Sequence, residues 1–253
     1  MEHLLYILPL FFLAALVYSM AGFGGGSTYI AILVLFSFPY ASIPKISLLC
    51  NLVVVTGGFF VFYREGHFSP RKVLPFVVGS IPAAYWGGRF PIGKTFFSLL
   101  LGLSLLVAAI RMLLSDESFI VRREVSWQHA WVVGVPAGGL LGALSGLVGI
   151  GGGIFLSPFI YFLGWGDAKE AAAAASFFIL VNSLAGLGGQ FSKTGWNLPD
   201  IHLLIPLGIA VLIGGQIGSR LGSKKIQKLA LQRITAGLIL WVAVRLLWEV
   251  VAG

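Results

Sequence analysis

Long apolar runs separated by short polar breaks dominate the chain. They cover Leu4–Phe38, Ile46–Phe62, Val73–Gly88, Thr95–Leu114, Ala130–Leu163, Ala171–Phe191, Ile201–Ser219 and Leu229–Val251. About 20 apolar residues cross a bilayer as a helix, so the pattern predicts an all-α polytopic membrane protein. Two runs are too long for one crossing. As a straight helix Leu4–Phe38 would measure about 52 Å, against a hydrocarbon core of about 30 Å. Gly22, Gly24, Gly25 and Gly26 interrupt that run, and Gly149, Gly151, Gly152 and Gly153 interrupt Ala130–Leu163 in the same way. Glycine tolerates backbone that leaves the helix. Each long run is therefore expected to be a glycine-broken helix, either discontinuous across the membrane or re-entrant as a hairpin.

The two interrupted runs belong to a wider duplication. The glycine runs align at an offset of 127 residues. After a four-residue insertion the offset becomes 131, and Asn51 meets Asn182, Gly57 meets Gly188, Pro75 meets Pro206 and Arg89 meets Arg220. Glycine matches are cheap in a chain with 34 glycines, but shared Asn, Pro and Arg at one offset are not. Residues 1–114 form a first transmembrane repeat and 129–253 a second. The polar stretch 115–128 is the linker. Each half is expected to hold one glycine-broken helix plus three transmembrane helices, a plan common in secondary transporters.

Composition changes the picture little but excludes much. Hydrophobic residues make up 58% and charged residues 10%, too few charges to cover a soluble globule of this size. A disordered chain and a collagen-like fibre are excluded as well. A net charge of +8 would suggest nucleic acid in a soluble domain. Here the basic residues sit in short loops, where they set topology, and the partner is the bilayer, not nucleic acid. If every run crosses, the two sides receive nine and eight basic residues, which decides nothing. If each broken run is a hairpin, the split is twelve to five. The rich side then holds Arg64, Arg71, Lys72, Arg111, Arg122, Arg123, Lys169, Arg220, Lys224, Lys225, Lys228 and Arg233. By the positive-inside rule that side, with the linker, is cytoplasmic, the termini lie outside, and the halves are inverted.

The glycine breaks are also the candidate site. Backbone that leaves the helix inside a membrane needs partners in protein or in a water-filled cavity. A helix N-terminus presents free N–H groups and about half a positive charge. Two such N-termini facing each other would cradle a small anion. The candidate ligands are Gly24, Gly25, Gly26 and Ser27 in the first half and Gly151, Gly152 and Gly153 in the second. Ser27 and Thr28 are placed to cap the helix after the first break. Close helix packing through small residues is the competing account. Asn51 and Asn182 are matched polar residues inside apolar spans, open to substrate binding or to an interhelical hydrogen bond. Ser19, Ser145, Ser176, Ser183 and Gln190 are further polar candidates. Arg89 and Arg220 lie at span ends and read as anchors. Trp127, Trp131, Trp165, Trp196 and Trp248 read as an aromatic belt.

Absences narrow the function. No Asp or Glu lies mid-span, where proton- and cation-coupled carriers usually hold one. The four histidines and the single Cys50 make no metal spacing. There is no metalloprotease, nucleophile-elbow or phosphate-loop motif in context, so no enzyme and no cofactor are expected.

At A-G-F-G-G-G-S, residues 21–27, and G-L-V-G-I-G-G-G-I-F-L-S-P, residues 146–158, the chain resembles the sulfite exporter TauE/SafE family, also called TSUP. The resemblance covers nearly the whole chain. The first motif has Ala31 where the second ends in Pro158. Membership would imply transport of sulfite, sulfoacetate or a related small sulfur-containing anion across the inner or plasma membrane. Export needs no coupling ion, since a departing anion gains about 2.3 kcal/mol per 100 mV when the cytoplasm is negative. A transporter exporting such an anion by alternating access is the expected function. The alternatives are an anion channel or uptake permease on the same breaks, and a membrane enzyme or assembly subunit.

Overall fold

The computed structural model describes residues 2–91, 93–114, 126–162, 165–166, 168–195, 198–223 and parts of 237–251. These residues are all-helical, with no strand among them. The helices are α1 (Glu2–Met20), α2 (Gly26–Leu35), α3 (Ile43–Arg64), α4 (Pro70–Arg89), α5 (Lys94–Leu114), α6 (Trp127–Val148), α7 (Gly153–Phe162), α8 (Ala168–Thr194) and α9 (Ile201–Ser223). Four described helices, α3, α6, α8 and α9, are long and apolar enough to cross a membrane. Residues 115–125 of the predicted linker and most of the predicted span Leu229–Val251 fall outside the described residues.

Both glycine runs end one helix and start another. In the first half the chain doubles back at the break. Phe11 of α1 and Tyr29 of α2 stack with ring centroids 4.6 Å apart, whereas a continuous helix would separate them by about 27 Å. The short helix α2 is buried from Gly26 through Val34. A ten-residue helix reaches only about 15 Å, and its enclosure by protein gives the non-helical backbone at its start the partners it needs.

The packing partners correspond between the halves. α1 lies against α9 as α6 lies against α4, α3 against α9 as α8 against α4, and α2 on α3 as α7 on α8; α3 and α8 pack on each other. Small residues make these contacts close. Gly134, Gly138, Gly142 and Gly146 of α6 sit on Pro75, Phe76, Ser80 and Ala84 of α4. Gly214, Gly218 and Gly222 of α9 sit on the carbonyls of Phe12, Leu16 and Met20 of α1. Pro9 and Pro136 lie inside α1 and α6 at the 127 offset, and Pro75 and Pro206 inside α4 and α9 at 131. The matched sequence signals therefore shape matched helices.

Helix directions sort the charges into two ends. α4 and α8 run the same way, with Lys72 and Glu170 paired at 2.7 Å near their starts and Lys193 Nζ donating to the Phe90 carbonyl at 3.3 Å near their ends. α3 runs against α8, so Leu48 meets Gly186 and Phe62 meets Ala172. α9 runs with α3, Val54 facing Gly215 and Gly58 facing Ser219. One end thus carries Arg64, Lys72, Glu170 and Arg220, and the other Lys45, Arg89 and Lys193.

α3 begins at Ile43, three residues before the predicted span, so Lys45 lies inside the helix and is only 5% exposed. Its Nζ stands 5.6 Å from the Phe191 ring centre, so a cation–π contact replaces water. Trp165 is not a belt residue: it is buried edge-on against Phe76, ring centroids 5.8 Å apart. Trp127 and Trp248 are exposed, as a belt requires, and Trp196 lies outside the described residues.

Candidate functional site

The two breaks share one construction. Gly25, at φ +92°, caps α2, and its carbonyl accepts the N–H groups of Thr28 and Tyr29 at 3.0 Å each. Gly152, at φ +76°, stands at the start of α7, and its carbonyl accepts those of Phe155 and Leu156 at 3.1 and 3.3 Å. A side chain at either glycine would be strained by the left-handed backbone. The first N–H groups of α2 and α7, at Gly26, Ser27, Gly153 and Ile154, have no acceptor within their own helices. Ser27 and Thr28 do not cap α2 as expected. Their hydroxyls turn to Tyr18 instead, at 3.1 and 3.0 Å from its hydroxyl.

The tips meet between α3 and α8, and each is tied to the other half. Ser47 Oγ donates to the Gly149 carbonyl at 2.7 Å and lies 3.2 Å from that of Gly26. One turn on, Asn51 Nδ2 donates to the Ile150 carbonyl at 3.1 Å. From α8, Ser176 Oγ donates to the Gly22 carbonyl at 2.7 Å. A methyl group on Gly24, Gly26 or Gly151 would meet the Asn51 amide within 3 Å. Asn51 is fully buried where both tips converge.

Beside this junction lies a narrow recess, partly open at its mouth. Tyr18, Phe23 and the segment Gly24–Ser27 form one wall, and Ile150, Ile154 and Ile179 the other. No lining residue is charged. The first wall offers hydroxyl and backbone N–H donors at a helix N-terminus, the second only hydrocarbon. Buried polar atoms without a partner cluster around the tips: Asn51 Oδ1, Asn182 Oδ1, Ser145 Oγ, Ser183 Oγ and Tyr29 OH. Unpaired buried polar groups are uncommon and call for an explanation.

The profile of the family described as Sulfite exporter TauE/SafE matches residues 7–246. The chain belongs to that family. It is 35% identical over 242 residues to the "Probable membrane transporter protein y4hK" of Sinorhizobium fredii, covering 94% of this chain and 96% of the relative. It is 24% identical over 263 residues to the "Probable membrane transporter protein YunE" of Bacillus subtilis, covering 94% of each. No solved structure matches. This TauE/SafE protein is thus a multi-pass membrane transporter.

The residues singled out in its sequence are distributed unevenly. Gly24, Gly25, Gly26 and Ser27 line the recess. Gly151 touches Asn51, while Gly152 and Gly153 pack on Phe178, Ile179 and Ala175 outside the lining. Asn182 is buried on α8 but donates to its own helix, at the Phe178 carbonyl, 2.8 Å away. Tyr18, Ser47 and the three isoleucines were not foreseen. Ser47 was detectable, since it lies four residues before Asn51 and so on the same helical face. The isoleucines carry no signal in a chain this apolar.

Proposed function

We propose that this TauE/SafE transporter exports a small sulfur-containing oxyanion, such as sulfite, sulfoacetate or a related organosulfonate, across the inner or plasma membrane by alternating access. Residues 1–114 and 129–253 act as inverted repeats joined by a cytoplasmic linker at 115–128. Gly24, Gly25, Gly26 and Ser27 with Gly151, Gly152 and Gly153 cradle the anion through backbone N–H groups and hydroxyls, and Asn51 and Asn182 flank the cradle on α3 and α8. The observation that carries this is the convergence of two helix starts on one buried junction beside an uncharged recess. Dipoles and hydroxyls can hold an anion there without a fixed charge that would trap it.

The deciding experiment is flux of labelled sulfite, sulfoacetate and chloride in liposomes of the pure protein. Saturable, selective sulfur-anion flux with counter-exchange is expected. Conductance orders of magnitude faster without counter-exchange would make it a channel, and no flux would assign it to another role.

Sidedness tests the inverted arrangement. Cysteines at Ala41 and Gly195 should label from one face, and a cysteine at Gly66 from the other, the cytoplasmic one. An added Cβ at Gly66 or Gly195 meets no atom within 4 Å, so the cysteines cost only the strain of the left-handed backbone there, φ +77° and +71°. Labelling of Ala41 and Gly195 from opposite faces would end the hairpin topology.

A further inference from the structure

The helical frame obeys the correspondence between halves closely. Gly58 faces Ser219, and their counterparts Gly189 and Gly88 face each other. Gly218 rests on the Leu16 carbonyl, and Gly87 rests on that of the corresponding Ala143. The hairpin tips break the correspondence. Gly149 rests on Pro44, so at the 131 offset Gly22 is due at Ala175; it rests on Ala172, three residues earlier. Gly151 packs on Ile179 and Ser183, so Gly24 is due on Leu48 and Leu52; it packs on Asn51 and Val55, three residues later. Both departures carry the first tip toward the end that bears Arg64 and Glu170. Three residues of helix are about 4.5 Å.

The matched asparagines break it too. Asn51 Nδ2 crosses to the Ile150 carbonyl, whereas Asn182 Nδ2 stays on its own helix at Phe178. Asn182 is fully buried and its Oδ1 has no partner. The counterpart of Ile150 in the first tip is Phe23. The serine ties are not matched either: Ser47 and Ser176 both reach the opposite break at 2.7 Å, but they are not counterparts at the 131 offset, and Ser176 Oγ also lies 2.9 Å from the Ala172 carbonyl of its own helix.

We infer that Asn51 and Asn182 are positioning residues for transport that take turns holding the hairpin tip of the opposite half. In this state Asn51 holds the second tip. In the opposite-facing state the first tip moves about one helical turn along α8 and Asn182 donates to the Phe23 carbonyl. Asn51 then returns to its own helix at the Ser47 carbonyl. The inference rests on the alternating-access, inverted-repeat reading above. In such carriers one repeat is gated against the other around a fixed site, and interchanging the halves' conformations turns one facing state into the other.

The test places a cysteine at Ile154, in the recess wall, and measures its labelling by an impermeant maleimide from each face of oriented vesicles. The parent chain, with only the buried Cys50, gives the background. Asn51→Ala removes the bond that crosses between halves in this state and only an own-helix bond in the opposite one, and Asn182→Ala does the reverse. The ratio of labelling from the two faces should shift in opposite directions, each by up to about fivefold, the ceiling set by one ordinary hydrogen bond. The double variant should return near the starting ratio. Should an alanine variant not fold, Asn51→Ser or Asn182→Ser, too short to reach across, replaces it. Shifts in the same direction, or no shift for the Asn182 variant, would overturn the inference and leave Asn182 a structural residue. Equal labelling from both faces that no variant changes would instead overturn alternating access itself.

Discussion

Gly26→Ala is expected to reduce anion flux by tenfold to a thousandfold while the protein still folds. The new methyl carbon would stand 2.6 Å from Asn51 Nδ2 and 2.6 Å from the Ile150 carbonyl oxygen. Those two atoms form the hydrogen bond that joins α3 to the second tip. The methyl must part them or push the first tip away. Overpacking costs about 1–3 kcal/mol and the lost bond about 0.5–1.5 kcal/mol, which sets the range, since about 1.4 kcal/mol is tenfold in rate. Folding should survive because the helical frame does not depend on this contact. Arg89→Gln is the comparison: Arg89 is exposed, its guanidinium 5.3 Å from the Trp86 ring centre, and little loss is expected. Flux and anion binding in liposomes, with each variant checked for monodispersity, decide the matter. Normal flux in Gly26→Ala with loss in Arg89→Gln would move the site from the tips to the arginines.

Gly138→Val should lower the unfolding temperature in detergent by on the order of 10 °C or prevent folding altogether. Gly138 lies where α6 meets the Phe76 backbone of α4, and a side chain there would run into that carbonyl and Cα. Backbone cannot yield as a flexible side chain does, so the helices must separate and forfeit the packing along Gly134, Gly142 and Gly146 as well. A penalty of about 3 kcal/mol gives a shift of this size for a chain of this length. The neighbouring Gly139→Val is the control. Its Cβ would meet only the Gly79 carbonyl at 3.7 Å, an ordinary contact. Equal stability of the two variants would show that the interface tolerates separation and that close approach there does not hold the bundle together.

Much of this protein is legible from its residues alone. Apolar runs of bilayer length fix a helical membrane protein, because unpaired backbone is intolerable in lipid. The glycine runs locate both helix breaks, since glycine takes without strain the left-handed backbone that Gly25 and Gly152 adopt. The 127 and 131 offsets foretold the matched helices and prolines, and the motifs at 21–27 and 146–158 pointed to the family. What the residues could not decide were the relations between distant segments. The charge split favours a fold-back of α2 on α1, but which faces meet, Phe11 on Tyr29, is a relation that apolarity has no direction to specify. That Ser27 and Thr28 serve Tyr18 and not their own helix start follows from where α1 ends. The inequality of Asn51 and Asn182 is the clearest case. The two positions match in sequence, yet one amide crosses between halves and the other does not. A duplicated sequence makes both arrangements possible, and only the packing of the tips against α3 and α8 selects which is made.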